Sequence, residues 1–250
     1  MPRKSNQVSR VLLLPALATD RNLYRSLLAA LPPGNCEIVA LRYGASRPGE
    51  GLSEYVRRQF LEQFPAAGKA AVRFDLVIGT SLGGMAAQEL IASGLVSSDR
   101  LILISTCFSG RDLTRLVRIV SPVFSILPRI PRGLRRLALR IVAWLFPIVR
   151  RGVPDPAGFT AMTARADVDF LFASGTMIAN WRLGEQPLNI AAGLAPQTLH
   201  IHGTRDPVLS FESIQRQRPP EIAVPGGDHI LILTRAPEIA ESIVGAGFWK

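Results

Sequence analysis

The chain has 250 residues, 48% of them apolar, which is enough to bury one large core and excludes a disordered polymer. Its formal charge is +10 at neutral pH, and where that excess lies says more about partners than its size. Two cysteines, Cys36 and Cys107, exclude a disulfide framework and have no metal-ligand spacing; each reads as a small buried apolar residue, and no metal or cofactor is expected.

The basic opening MPRKSNQVSR, the run VLLLP and Ala16-Leu17-Ala18 have the outline of an export signal. The apolar run is short, though, and contains Pro15, and cleavage would remove a strand the fold needs. Val11 to Leu14 is therefore read as the first core strand and the protein as cytoplasmic, with peripheral membrane association open. Thr19 or Asp20 caps a helix through Leu31, closed by Pro32-Pro33-Gly34. Cys36 to Leu41 reads as a second strand, Arg42 to Gly51 as a loop, and Leu52 to Phe64 as a helix.

The stretch from Phe74 to Leu90, FDLVIGTSLGGMAAQEL, begins as a short apolar, β-branched strand and continues from Leu82 as a helix. Between them lies Gly79-Thr80-Ser81-Leu82-Gly83. A serine in so sharp a turn needs glycine two positions to either side, where a β-carbon would meet the neighbouring backbone. The turn lifts the Ser81 hydroxyl above the sheet and aims the first N–H groups of the helix at whatever that hydroxyl attacks. Arg100 to Ser105 forms another strand, and the strand–helix rhythm implies a mostly parallel sheet covered on both faces.

That rhythm breaks after Cys107. Between Arg111 and Arg151 stand ten arginines and a single acidic residue, Asp112, so this segment alone carries +9 of the chain's +10. Leu134, Leu137, Ile141, Trp144, Leu145 and Ile148 recur at helical spacing, as do Arg132, Arg136 and Arg140, with interruptions at Pro122, Pro128, Pro131 and Pro147. The apolar run Ile141 to Val149 is too short to span a bilayer. The segment reads as a helical cap with its apolar face on the core and its arginines in water. The sharper alternative is peripheral contact of Arg111 to Arg151 with anionic lipid headgroups. Sparse aromatics and the lack of a recognition motif argue against nucleic acid.

Ala166 to Trp181 reads as one or two helices returning to the core, Gln197 to Ile201 as a strand, Glu221 to Val224 as the last strand and Arg235 to Val244 as the closing helix. The boundaries follow: core from 1 to 107, cap from 108 to 182, core again from 183 to 250. A serine nucleophile needs an imidazole, itself oriented by a carboxylate. Of three histidines, His200 falls within a strand and His202 at its end, where it serves the loop. His229 follows a Gly-Gly turn after the last strand, at the edge where open α/β sheets collect their sites. Asp206 lies after the preceding strand in a matching position, with Asp228 and Asp112 as rivals.

The order Ser81, Asp206, His229 is that of nucleophile, acid and histidine in an α/β-hydrolase. With GTSLGG as nucleophile elbow, HGTRDPV as acid turn, PGGDHI as histidine loop and LLLPALATD as oxyanion loop, the chain resembles the α/β-hydrolase fold superfamily over almost its whole length. The resemblance implies about six mostly parallel strands flanked by helices, with an inserted helical lid. It further implies an acyl-enzyme on Ser81, with His229 as base, Asp206 as its orienting acid, and an oxyanion hole from the N–H groups of Leu17 and Leu82. The substrate is then a small molecule with an acyl group, an ester or thioester. The alternatives are acyl transfer or C–C hydrolysis on the same three residues, or a non-catalytic module docking on anionic membranes. Haloalkane dehalogenases and epoxide hydrolases of this fold place an aspartate where this chain has Ser81. The first loop departs from the family's His-Gly or Pro-Gly, since Pro15-Ala16 puts a β-carbon at a tight position.

Overall fold

The computed structural model describes residues 9–120, 130–149, 155–183 and 196–249. Six strands form one sheet: β1 (Ser9–Leu14), β2 (Cys36–Ala40), β3 (Val72–Thr80), β4 (Val96–Ile104), β5 (Gln197–Gly203) and β6 (Ile222–Val224). Their order is β2-β1-β3-β4-β5-β6, and each of these pairings is parallel. In register, Leu13 stands beside Ile78 and Ile78 beside Ile102. The sheet grows one way from β1 to β2 and the other way from β3 onward, so the switch of direction falls between β1 and β3.

Period-two alternation splits the core into two layers. Leu12, Leu14, Val77, Leu101 and Leu103 face one layer, packed by α2 (Leu52–Gln63) and α3 (Leu82–Ala92). Val11, Leu13, Leu76, Ile78, Ile102 and Ile104 face the other, covered by α1 (Arg25–Ala30) and by helices at the end of the chain. The expected first helix opens as a 3-10 turn, Arg21–Tyr24, with the Asp20 carboxylate accepting the Asn22 N–H at 2.8 Å. β3 and β4 run longer than their apolar stretches, because Val72 and Val96 pair at the polar ends.

Between β4 and β5 the chain leaves the sheet as α4 (Arg115–Val120), α5 (Arg132–Val149), α6 (Pro156–Ala164) and α7 (Val168–Asn180). Entry and exit of this excursion lie side by side. Ser109 bridges Arg182, the Gly110 N–H donates to the Trp181 carbonyl at 2.8 Å, and the Trp181 indole N–H donates to Glu89 of α3 at 2.7 Å. Asp155 and Asp167 cap α6 and α7. The chain closes through α8 (Phe211–Gln217), α9 (Leu231–Thr234) and α10 (Ala236–Gly245).

Two expectations for the excursion fail. α5 continues through Pro147 to Val149. A proline in the last turn removes one hydrogen bond and leaves the earlier ones intact. The first part of the apolar face also does not lie on the core: Leu134, Leu137 and Ile141 are 58%, 54% and 49% exposed and Arg135 is buried, while the side chains of Trp144, Leu145 and Ile148 fall outside the described ones. The breaks expected at Pro122 and Pro128 fall outside the described residues, as does the start of the signal-like opening. Pro131 does precede α5, its carbonyl accepting the N–H groups of Leu134 and Arg135. Among the described residues no helix is long and apolar enough to cross a membrane.

Candidate active site

Ser81 sits where β3 gives way to α3, with φ 53° and ψ −119°. A residue with a β-carbon occupies that region only at a cost of about 1–3 kcal/mol, so the surroundings must hold it there. Two close approaches do so. A β-carbon on Gly83 would lie 1.8 Å from the Leu14 carbonyl oxygen at the end of β1, and one on Gly79 would lie 2.5 Å from the Gly83 carbonyl oxygen. The Ser81 N–H donates to Ile104 at 2.9 Å, and the Thr106 hydroxyl donates to the Ser81 carbonyl at 2.7 Å.

Ser81 Oγ lies 2.9 Å from His229 Nε2, and His229 Nδ1 lies 2.8 Å from Asp206 Oδ2. The structure thus brings Ser81 together with Asp206 and His229, from which the sequence separates it by more than a hundred positions. Asp206 Oδ1 is occupied by the N–H groups of Val208 at 2.8 Å and Leu209 at 2.9 Å, which fixes the carboxylate plane. The turn after β5 and the loop after β6 are tied by the backbone. Thr204 N–H donates to Val224, Arg205 N–H to Gly227, and Gly226 N–H to the Thr204 hydroxyl. An ionised carboxylate accepts only, so Nδ1 carries the ring proton and Nε2 is free to accept from the Ser81 hydroxyl.

Burial alone would raise the Asp206 carboxyl, but the nearby His202 imidazole and hydrogen bonds from His229 and the Leu209 N–H outweigh it and hold the group below the usual carboxylate range. His202, assigned to loop structure from sequence, is fully buried with Nε2 3.3 Å from Asp206 Oδ2, the same oxygen that His229 uses. Only its four-residue spacing from Asp206 hinted at this. His200 is buried in β5 and edge-on to Phe108 and His202; burial, then His202 and Arg218, push it down to about 3. The rival acids are engaged elsewhere. Asp228 accepts the Ile230 N–H, and the fully buried Asp112 accepts from the N–H groups of Phe108 and Ser109 and from Ser213 and Gln217.

Leu82 is the first residue of α3, where backbone N–H groups have no partner within the helix. Leu17 lies in the turn closed by Thr19 N–H to the Ala16 carbonyl at 3.2 Å, and it lines the same cavity as Ser81. The tight position in this loop is Ala18, with φ 59°, rather than Ala16. Among the described residues the non-glycine residues with positive φ are Ala18, Ser81 and Ser105, just past the ends of the adjacent strands β1, β3 and β4. Backbone strain therefore collects around the Ser81 rim.

The Ser81 hydroxyl opens into a cavity of about 380 Å³ between the sheet and the inserted helices, within the size range of small-molecule sites. Leu17 and Met85 line it from the core side, and Val117, Phe159, Leu171 and Ile178 from α4, α6 and α7. Among the described residues no lysine, arginine, aspartate or glutamate lines it. Larger clefts, of about 810, 960 and 1090 Å³, are lined in part by charged residues and do not include Ser81.

A parallel sheet with a strained serine after β3, and an acid and a histidine on the loops after β5 and β6, defines an α/β-hydrolase architecture. The chain belongs to the alpha/beta hydrolase family, whose model matches residues 11–242. No curated protein matches the sequence. Similar solved structures include an esterase from Exiguobacterium antarcticum (14% identity, 95% of this chain and 91% of that chain, TM-score 0.66). Others are a hydrolase from Pseudomonas aeruginosa PA01 (17%, 96% and 90%, 0.66) and a homoserine O-acetyltransferase from Staphylococcus aureus (14%, 95% and 86%, 0.65). At such identities the likeness concerns the fold alone.

Proposed function

We propose that this chain is a serine hydrolase that cleaves carboxylic esters or thioesters bearing an uncharged, apolar portion, through an acyl-enzyme on Ser81. The observation that carries the reading is the hydrogen-bonded run Ser81–His229–Asp206 opening into a cavity with no charged wall among the described residues. Ser81 Oγ attacks the carbonyl carbon while its proton passes to His229 Nε2. Asp206 stays ionised and stabilises the imidazolium through the Nδ1–H bond. The tetrahedral oxyanion is received by the N–H groups of Leu82 and Leu17, each such donor contributing about 10²-fold or more in rate. Collapse breaks the bond to the alcohol or thiol, which leaves with the proton from His229. Water then repeats the sequence on the acyl-enzyme and releases the acid. The inserted helices act as a lid that supplies the apolar wall of the site.

A fluorophosphonate probe tests the nucleophile: wild-type protein is labelled and Ser81→Ala is not, and equal labelling of both ends the proposal. A chain-length series of chromogenic esters and acyl thioesters, run on wild type and His229→Ala, tests the substrate class. Turnover by the wild type alone, favouring apolar acyl groups, is the expected result. Adding alcohol, amine or thiol acceptors to the same assay shows whether the acyl group goes to water.

A further inference from the structure

On α5 the described residues Leu134, Leu137 and Ile141 face away from the core. α5 leans on α7 through Arg135, which is only 9% exposed, pairs with Asp169 at 2.8 Å and lies 5.9 Å over the Phe172 ring. Arg132 reaches the same carboxylate at 3.1 Å. Arg135 thus makes one of the helix's inner contacts, while Leu134, Leu137 and Ile141 face outward, each about half exposed or more. Their spacing of three and four residues makes one stripe along about 10 Å of helix. Ile119 of α4 is 75% exposed and Ile130 37%. Among the described residues, five of the seven exposed large apolar side chains therefore fall between 119 and 141.

This stretch lies within the segment from Arg111 to Arg151 that carries +9 of the chain's +10. Arg136 and Arg140 are exposed on α5 beside the apolar stripe. The segment's one acidic residue, Asp112, is fully buried and engaged by hydrogen bonds, so it neutralises nothing at the surface. A second copy of the chain would bring the same positive charge to the contact and be repelled. An apolar stripe bordered by arginines, with no exposed carboxylate in the segment, matches a surface that is negative outside and apolar just beneath.

We infer that α5 docks on anionic lipid bilayers, with Leu134, Leu137 and Ile141 entering the boundary between headgroups and acyl chains and Arg136 and Arg140 meeting lipid phosphates. α5 packs against α6 and α7, which wall the Ser81 cavity, so docking sets the roof of that cavity against the lipid. The inference does not depend on the hydrolase reading.

Cosedimentation of the full chain with vesicles tests it. The chain binds vesicles of phosphatidylcholine mixed with phosphatidylglycerol, far less to phosphatidylcholine alone, and binding weakens as salt rises. Replacing the stripe (Leu134→Ser, Leu137→Ser, Ile141→Ser) lowers affinity for the mixed vesicles by about 10-fold or more without lowering the melting temperature. Leu137→Ser alone gives a smaller loss in the same direction and serves if the triple variant does not fold. Arg136→Gln with Arg140→Gln flattens the salt dependence. Ser81→Ala binds as wild type does, so a chain that binds vesicles but cleaves no ester would sink the proposed chemistry and leave docking intact. Docking is overturned if wild type ignores the mixed vesicles, or if the stripe variant binds them unchanged. It is equally overturned if sedimentation velocity shows self-association that the stripe variant abolishes.

Discussion

The rim of the sheet and the inserted helices solve the problem of placing polar groups in opposite ways. At the rim, each charged or reactive group of the Ser81 run has a fixed set of partners. Asp206 receives two backbone N–H groups on one oxygen and two imidazoles near the other, and Ser81 is pinned from both neighbouring strands. On α5 Arg135 goes inward while Leu134 and Leu137 go out. A rim that is over-determined can hold strained backbone at Ala18, Ser81 and Ser105, whereas α5 leaves the stripe of Leu134, Leu137 and Ile141 free for another partner. Substitutions at the rim should therefore be severe and specific, and those on the insertion mild for the fold.

The largest effect is expected at the rim. Asp206→Asn keeps an oxygen for the Val208 and Leu209 N–H groups but turns an NH₂ toward His229. The imidazole must then accept at Nδ1 and carry its proton on Nε2, where it cannot take one from Ser81. Ester turnover should fall about 10⁴-fold while thermal unfolding moves far less. Parallel rate and melting measurements check this, and an equal collapse of both would mean that Asp206 is mainly structural.

Gly83→Ala comes next. Its β-carbon would stand 1.8 Å from the Leu14 carbonyl oxygen, a contact with backbone on both sides that no rotamer relieves. We expect a loss of about 3 kcal/mol or more in urea unfolding, and loss of probe labelling at Ser81 in whatever remains folded.

What could be read beforehand divides along the same line. The strands and the Ser81, Asp206 and His229 positions were legible because local rules fix them: β-branched runs, glycines flanking a serine, and loops at strand ends. The strain at Ala18 and Ser105 was not, since it arises from packing between chain segments distant in sequence. Nor was the contact of His202 with Asp206, which depends on how a strand end and a turn fold back on each other. On the insertion, periodicity gave helices correctly but turned Leu134, Leu137 and Ile141 inward, where the structure exposes them. Hydrophobic spacing defines a stripe, and only tertiary partners such as Asp169 and Phe172 decide which side of the helix is buried.

A smaller effect, still in the core, comes from His200. It is held down to about 3, against an ordinary value of 6.5, chiefly by burial. Above 6.5 both folded and unfolded chains carry it neutral. As pH falls below that, the unfolded chain takes a proton that the folded one refuses, and stability drops by up to about 1.4 kcal/mol per pH unit. Asp206, also depressed when folded, adds its own loss only once pH nears its ordinary value of 3.8. Between pH 6 and 4.5 the wild type should therefore lose about 2 kcal/mol more than His200→Phe, as read by urea unfolding at each pH. Equal slopes would mean that the imidazole accepts its proton in place.

The smallest effect is the same glycine-to-alanine change moved to the insertion. Gly133 lies in the first turn of α5, is exposed, and a β-carbon there would meet nothing within 4 Å. Its φ is not in the left-handed region, so alanine fits without strain and restricts only the unfolded chain. Gly133→Ala should stabilise by about 0.5 kcal/mol and leave ester turnover unchanged, opposite in sign to Gly83→Ala. Thermal melting of the two variants side by side makes the test. If Gly133→Ala instead lowers the melting temperature and slows turnover, α5 is as tightly fitted as the rim, and its outward leucines belong to a packed interface within the chain.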